Sequence, residues 1–435
     1  MDRLSAELVH VVCSHLETND IYNFRLTCRA YGDVGACYSH RRLKFHFHHD
    51  DFQMLELLSR HPIISKNVVS LVYFTNRLEL KSDGRKKDRV DLILDYEKRT
   101  HRLNTRETHA PPSATEELNE MFQEYEKIAD RQIEMIQLDE DCRMLQGIVS
   151  RLGNLQEIEV RYRDRPRQGQ AGNNMGPFKK IKRLNQRFTR SKPTGCRELR
   201  SLLSSLPGST IMLRSLACEN LDWTFFSEGL GTGLHAMPSL QNLTMVELSL
   251  NASTELAGRP DGASEPASKH LFGTGVVGRF LSSLDKLRDL RITLGCYAGR
   301  IPKPACLPDI ITPGHHWSHL ESLSLGGLEC EGQDLLGVLG AHKETLRSLC
   351  ICSIELTSRS WFELLPAIQE VLCLDTACIC GELIDGLYEG LAWHGGYPDE
   401  GPSWVTGLGH AMNEYLVSGG TMPLSEHNAS PRDGW

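Results

Sequence analysis

A short apolar unit that recurs along the chain most limits how this chain can fold. Each copy places apolar residues at its first, fourth and sixth positions. This spacing predicts a short strand with inward-pointing apolar side chains, followed by a helix or irregular return that covers them. One copy cannot bury its apolar face alone, so neighbouring copies must stack. The copies are Val68-Leu71-Tyr73, Leu155-Ile158-Val160, Leu213-Leu216-Cys218, Leu240-Leu243-Met245, Leu287-Leu290-Ile292, Leu320-Leu323-Leu325, Leu346-Leu349-Ile351 and Ile368-Val371-Cys373.

The spacing between copies predicts an α/β fold built as an irregular leucine-rich-repeat solenoid, with parallel short strands and helical returns. Copies starting at Leu320, Leu346 and Ile368 lie 26 and 22 residues apart, within the usual leucine-rich period of roughly 20–29 residues. Earlier spacings are larger, which indicates insertions near residues 79–113, 161–192 and 252–270. Return helices are predicted over Val276–Leu284, Gln333–Leu339 and Ser360–Leu365. The solenoid is expected to occupy residues 46–417.

The first 45 residues predict a separate helical module of two or three short helices. Ser5 is a suitable N-cap for the first helix, whose apolar stripe is Leu8, Val11, Val12 and Leu16. A second stripe consists of Ile21, Phe24, Leu26 and Cys28. These helices are predicted to be too small to make a core of their own.

The order and spacing of these residues resemble the F-box, the helical module that docks on the Skp adaptor of Skp–cullin–F-box ubiquitin ligases. The chain departs from the family pattern at Ser5, where Pro is usual, and at Tyr31, where Trp is commoner. The match covers roughly a tenth of the chain. The residues that carry it are Leu4, Glu7, Leu8, Leu16, Asp20, Ile21, Arg25, Cys28, Arg29 and Tyr31.

This resemblance implies a substrate receptor that performs no catalysis itself. Its layout is similar to a group of fungal F-box proteins with degenerate repeats. The implied partners are the Skp adaptor, cullin through that adaptor, and a target protein that the sequence does not identify. The alternative is a leucine-rich-repeat scaffold acting outside any ligase. The residues implied to contact the adaptor are Leu4, Leu8, Leu16, Ile21, Phe24, Leu26, Cys28 and Tyr31.

Composition limits the partners and the compartment. The 435 residues carry 48 basic and 56 acidic side chains, a net charge of −8, which does not predict general nucleic-acid binding. No apolar run reaches the ~18–20 residues that span a bilayer, and no signal peptide is evident. The fourteen cysteines are therefore expected to be reduced, in the cytoplasm or the nucleus.

One segment is strongly basic. Residues 161–192 contain eleven Lys and Arg residues and the single acid Asp164. Three interpretations stay open: a solvated insertion, a docking site for an acidic or phosphorylated partner, or a nuclear-import signal. The candidate docking residues are Lys179, Lys180, Lys182, Arg183 and Arg187.

No catalytic, cofactor or metal site is predicted. Gly273-Thr-Gly275-Val-Val-Gly278 spells a dinucleotide fingerprint but follows a poor strand, so it is weak evidence. Cys350 with Cys352, and Cys378 with Cys380, fall in or beside predicted strands. Alternation places both members of each pair on the same face, and we expect reduced core pairs rather than a metal or redox site. An enzyme using this cysteine-rich half would lack an evident base and nucleophile.

Four further segments have local predictions. Phe45 and Phe47 alternate with His46 and His48, which favours a strand with one wet face over a metal cluster. Residues 114–148 predict an acidic helix, Leu383–Leu391 a short helix, and residues 418–435 a polar tail.

Overall fold

The computed structural model describes residues 4–75, 77–78, 112–161, 178, 195–251, 267–295, 303–385, 391–396, 407–425 and 429–431. The chain divides into two compact units, Met1–Ile211 and Met212–Trp435. Both combine helices with parallel strands, which confirms the predicted mixed α/β class. The five basic candidates between Lys179 and Arg187 lie outside the described residues, as do most positions of the three predicted insertions.

The first unit begins with three helices and then alternates strands with helices. Its elements are α1 Ala6–His15, α2 Thr18–Arg25, α3 Arg29–Ser39, β1 Arg42–His46, α4 His49–Arg60, β2 Ser70–Phe74, α5 Pro112–Gln137, α6 Glu140–Val149, β3 Glu157–Arg161 and α7 Gly195–Leu203. Strands β1, β2 and β3 pair in parallel, and Phe45, Tyr73 and Val160 occupy equivalent positions. The acidic segment is two helices rather than one, because Asp139 between them has a φ of 49°.

The predicted wet face of β1 forms at Arg42 and Lys44, which are exposed, but not at His46. His46 is only 5% exposed, and its Nδ1 lies 2.9 Å from Oδ2 of Asp51 at the start of α4. Phe45 stacks on Tyr73 with ring centroids 4.5 Å apart. Alternation alone missed this burial because a carboxylate in the next helix gives the imidazole a polar partner inside the fold.

The second unit contains two sets of strands. Its elements are β4 Ser215–Asp222, α8 Gly229–Thr232, β5 Met245–Asn251, α9 Ala267–Gly273, α10 Val276–Ser282, β6 Asp289–Leu294, α11 Leu307–Ile310, β7 Ser322–Gly326, β8 Glu329–Glu331, α12 Gly332–Ala341, β9 Ser348–Cys352, β10 Glu355–Ser358, α13 Trp361–Val371, β11 Thr376–Cys380, β12 Glu382–Ile384, β13 Leu391–His394, α14 Leu408–Ser418 and β14 Ser430–Pro431. Strands β4, β5, β6, β7, β9 and β11 form one parallel ladder in that order.

Apart from one shift between β4 and β5 after Cys218, the parallel ladder keeps its strands in one register, which aligns the apolar residues of successive strands. Buried side chains alternate with more exposed ones along β5, β6, β7 and β9, so one face of each strand lies in the core. The first aligned column is Leu216, Val246, Leu290, Leu323, Leu349 and Ala377, and the second is Cys218, Leu248, Ile292, Leu325, Ile351 and Ile379.

The same backbone contact precedes each strand of the parallel ladder. The carbonyl just before one strand accepts two amide hydrogen bonds from the residues that open the next strand, at 2.8–3.1 Å. These carbonyls belong to Arg214, Thr244, Arg288, Glu321 and Arg347. Repetition of one local geometry is what keeps the strands in register.

A second, smaller sheet follows from tight corners after three strands. Gly327, Ser353 and Gly381 lie directly after β7, β9 and β11 and have φ values of 70°, 52° and 66°. The left-handed conformation turns the chain sharply and leads into β8, β10 and β12. These pair in parallel, and β13 and β14 then add antiparallel. The sequence did not predict this sheet, because strands of three or four residues show no measurable period.

Two of the predicted repeat copies are displaced. The core positions are Leu243, Val246 and Leu248 rather than Leu240, Leu243 and Met245. The last predicted copy, Ile368-Val371-Cys373, lies largely in α13 and beyond its end, and β11 begins at Thr376. Apolar residues three positions apart suit a helical turn as well as the first half of the repeat unit. Helices near Val276, Gln333 and Ser360 form as predicted, the last one extending to Val371.

The C-terminal predictions need two corrections. The helix expected over Leu383–Leu391 is instead parts of β12 and β13 at the two ends of that segment. The expected polar tail contains Leu424, which is 5% exposed, and β14, which pairs with β13. Trp393 in β13 is fully buried, and its indole donates to the carbonyl of Ser425 at 3.2 Å.

The displaced final strand can be tested by unfolding. Ile379→Ala should lower the free energy of unfolding by about 2–5 kcal/mol, because Ile379 is fully buried. Val371→Ala should cost less than about 1 kcal/mol, because Val371 is 37% exposed. Denaturant titration of both variants measures this. A larger loss of unfolding free energy for Val371→Ala than for Ile379→Ala would instead support the predicted strand at residues 368–373.

Candidate functional site

The first candidate site is built on α1, α2 and α3, which share a small core, whereas the sequence predicted helices too small for one. Val9 and Cys13 of α1 and Tyr31 of α3 are buried together, with Phe24, Val34 and Tyr38 packed against them. The rings of Phe24 and Tyr31 stack with centroids 4.8 Å apart. Val9 and Cys13 are four residues apart and therefore lie on one face of α1. This face attaches α1 to the rest of the module.

The opposite face of α1 is apolar and exposed. Leu4, Leu8, Val11 and Val12 are 47%, 53%, 55% and 41% exposed. Leu8, Val11 and Val12 follow helical spacing and lie on one side of α1, and Leu4 lies just before the helix. We call these four side chains the α1 stripe. A soluble helix normally turns its apolar stripe inward, so this exposed stripe is a candidate interaction surface.

The residues predicted to contact an adaptor fall into three groups. Leu4, Leu8, Leu26 and Cys28 are exposed, and Leu16 and Phe24 are half-buried. Ile21 and Tyr31 are buried. The sequence did not separate these groups, because it does not show which apolar residues α3 covers. Val11 and Val12 were missed as surface residues, although their spacing with Leu8 could have identified them.

Ser5 begins α1 without Pro. Its carbonyl accepts the amide of Val9 at 3.1 Å, and it has extended backbone angles, with φ of −65° and ψ of 155°. Its hydroxyl donates to the carboxylate of Glu7 and lowers the pKa of that group. A φ near −65° is the value that Pro imposes, so Ser5 holds the conformation that Pro would supply.

Polar side chains form a second cluster deep inside the first unit. Glu198 of α7 is fully buried and pairs with Arg77, and burial raises the pKa of the Glu198 carboxyl. The Arg77 guanidinium also lies 5.1 Å from the ring centre of Phe47. Within the described part of the chain, Glu198 Oε2 and the Tyr73 hydroxyl have no hydrogen-bond partner. The pairing of Glu198 with Arg77 indicates a structural role.

A groove of about 590 Å³ lies beside α5 and α6 and contains three arginines. Arg131 pairs with Glu134 and Glu140. Arg143 donates to the carbonyl of Leu138, and Arg151 donates to the hydroxyl of Ser59 at 2.8 Å. The three guanidinium groups of this groove therefore already bind carboxylate, carbonyl and hydroxyl groups of the chain itself.

Two clusters of the described residues have donors that could hold a metal ion. One consists of Asp139, Asp141 and Cys142, but Arg197 already donates to both carboxylates, at 2.9 and 2.7 Å. The other consists of three cysteines in β9 and β11, Cys350, Cys378 and Cys380. The predicted core placement is wrong for three of the four paired cysteines, because only Cys380 is buried and the others are half-buried. The dinucleotide-like glycines follow α9 and open α10, so the strand that such a motif requires is replaced by a helix.

Comparisons with known protein families and with curated proteins find no match to this chain. Across the described ranges, no helix is both long enough and apolar enough to cross a bilayer.

Replacing Arg77 should leave the buried carboxylate of Glu198 without its ion-pair partner. We expect Arg77→Met to lower the free energy of unfolding by about 3–5 kcal/mol at neutral pH, because the carboxylate then lacks its partner. The folded pKa of Glu198 already exceeds the unfolded value and would rise further. A carboxyl group whose pKa is higher in the folded chain than in the unfolded chain stabilises the fold at pH values below its unfolded-state pKa. This stabilisation is lost as the pH rises through the pKa of the folded state. The loss should therefore shrink as the pH falls toward 5.

Arg60→Met is the matched control, because Arg60 forms an exposed pair with Glu56 on α4 and should cost at most about 0.5 kcal/mol. Adding Glu198→Gln to Arg77→Met should recover part of the loss. Equal effects of Arg60→Met and Arg77→Met would contradict a buried pair.

Proposed function

We propose that this chain is a substrate-recognition subunit of a Skp–cullin–F-box ubiquitin ligase. The α1 stripe is the observation that carries the proposal. The three-helix module has its own small core around Val9 and Tyr31, so the exposed residues Leu8 and Val11 are free for a partner. Together with the resemblance of residues 4–31 to the F-box pattern, this supports docking of the Skp adaptor on α1 and on Leu26, which directly follows α2.

The exposed stripe also agrees with the energy that docking requires. Covering an exposed Leu or Val side chain contributes roughly 1.5–3 kcal/mol, and several such residues are needed to offset the loss of freedom on association. Leu26 is 85% exposed, the highest value among the large apolar side chains that are exposed in the described residues. Ile21, at 4%, supports the module from inside and contributes indirectly.

The proposed target surface is the outward face of the parallel ladder. The side chains that alternate with the buried columns are mostly polar, as in Glu247, Arg291, Ser324 and Thr376. Parallel strands in constant register place these side chains in rows about 4.8 Å apart. Such rows offer a target protein hydrogen bonds and charges at fixed spacing. The repeats would thus form the degenerate leucine-rich solenoid that the sequence predicts.

In this proposal the chain contributes position rather than chemistry. Holding a target near the ubiquitin donor raises the effective concentration of the target lysine. Transfer itself would be carried out by other subunits. The alternative is a repeat scaffold in which the helical module serves outside any ligase, or only covers one end of the fold.

Co-expression with the Skp adaptor, followed by size-exclusion chromatography with light scattering, tests the proposal. We expect a stable one-to-one complex. Leu8→Asp combined with Val11→Asp should weaken binding at least about a hundredfold, because two charges would enter an apolar interface. The variant should still fold, since both residues are exposed in the free chain.

Ala6→Asp is the matched control, because it adds a charge to an exposed position of α1 that lies two residues before Leu8 and therefore on the other side of the helix. It should bind the adaptor as tightly as the original chain. If a soluble, folded chain forms no complex, the scaffold alternative is favoured. Equal losses with Ala6→Asp and with the double variant would argue against the α1 stripe as the docking surface.

A further inference from the structure

Four cysteines meet on the outward face of β9 and β11. In the parallel register, Cys378 lies opposite Cys350, and Cys380 lies opposite Cys352. The Sγ atoms of Cys350, Cys378 and Cys380 all lie within 4.8 Å of one another. Cys352 lies on the same face of β9 as Cys350 and opposite Cys380. The strand register therefore joins two sequence pairs into one group, which we call the thiol cluster.

Strand geometry disfavours disulfides within the thiol cluster. Residues opposite each other in neighbouring parallel strands have β-carbons about 4.8 Å apart, whereas a disulfide prefers about 3.8 Å. A tetrahedral zinc ion with Zn–S bonds of about 2.3 Å places its sulfurs roughly 3.8 Å apart. Small side-chain rotations bring three mutually close thiols to that spacing.

The surroundings of the thiol cluster suit an ion held by several thiolates. Ser324 on β7 lies opposite Cys350 and places a hydroxyl-bearing side chain on the same face of the sheet. Arg291 on β6 lies opposite Ser324; it pairs with Asp289 at 2.7 Å and still contributes a guanidinium group to the row that contains Cys350, beside a zinc–thiolate centre of net negative charge. These groups would act as the outer shell of a metal site.

A close approach of backbone also restricts one side of the thiol cluster. Gly395 passes so near β11 that an added β-carbon would lie 3.2 Å from the Cα of Cys380 and 3.0 Å from the carbonyl oxygen of Ile379. Cys380 is consequently only 5% exposed, while the other three cysteines are half-buried. Partial shielding with one open side allows an ion to enter and then be retained.

We propose that the thiol cluster binds one zinc ion through Cys350, Cys378 and Cys380, with Cys352 as the fourth ligand. Each thiol loses its proton to solvent on binding, and no electrons are transferred. Soft sulfur ligands in tetrahedral arrangement select zinc over harder ions such as magnesium. The ion would tie β9 to β11 at the end of the parallel ladder. This inference does not depend on the proposed ligase function.

The test is the zinc content of the full-length chain. The chain is expressed in zinc-supplemented medium, purified under reducing conditions and dialysed without chelator. We expect about one zinc per chain. Cys350→Ser and Cys378→Ser should each weaken zinc binding at least about tenfold. Cys373→Ser is the matched control, because Cys373 is exposed and precedes β11, and it should keep the full content. Chelator should lower the melting temperature of the original chain but not that of Cys350→Ser.

A second measurement needs no variant and covers the case in which a serine variant does not fold. X-ray absorption at the zinc edge of the original chain should show a first shell of sulfur at about 2.3 Å. A shell of nitrogen and oxygen would overturn the proposal, as would a zinc content no higher than that of Cys350→Ser. Alkylation mapping that finds a Cys350–Cys378 disulfide in the reduced preparation would overturn it as well.

Discussion

Constant register between parallel strands is the constraint on which the second unit depends. Side chains alternate along a strand with a period of two, so a slip of one residue would move Leu323 and Leu325 of β7 from the core to the surface. The paired amide hydrogen bonds to the carbonyls before each strand prevent such a slip. Each strand is thus positioned by its predecessor, and the apolar columns extend from β4 to β11 without interruption.

The sequence predicted the ladder where the repeat unit was unambiguous and failed where another structure fits the same spacing. Leu290, Leu323 and Leu349 occupy the core positions expected of them. The copy at Ile368 was misplaced because apolar residues three apart also suit the helix that forms there. The small second sheet was not predictable, since its strands are set by the left-handed corners at Gly327, Ser353 and Gly381. Only the Gly residues carry a sequence signal for those corners.

The N-terminal module shows a different limit of sequence reasoning. Both faces of α1 contain apolar residues, so periodicity alone cannot decide which face is buried. Tyr31 of α3 packs with Val9 and Cys13, so the face of α1 that carries these two residues is the buried one. The wider stripe, from Leu4 to Val12, stays in solvent. The core of the module contains the smaller side chains of α1, Val9 and Cys13, and the larger apolar area of the helix stays exposed. That arrangement lowers the stability of an isolated module and is advantageous only where a partner covers the stripe.

The thiol cluster follows from the same register that builds the core. Cys350 and Cys378 are distant in sequence, and nothing in the spacing of either pair indicates that they meet; only the alignment of β11 on β9 brings them together. Outward residues form columns just as inward ones do, so one residue type repeated at one position becomes a concentrated chemical group. A one-residue slip of β11 would separate Cys378 and Cys380 from the other thiols and expose Ile379. A metal ion held across the two strands would therefore oppose the slip that also destroys the core, so that metal binding and apolar burial stabilise one register.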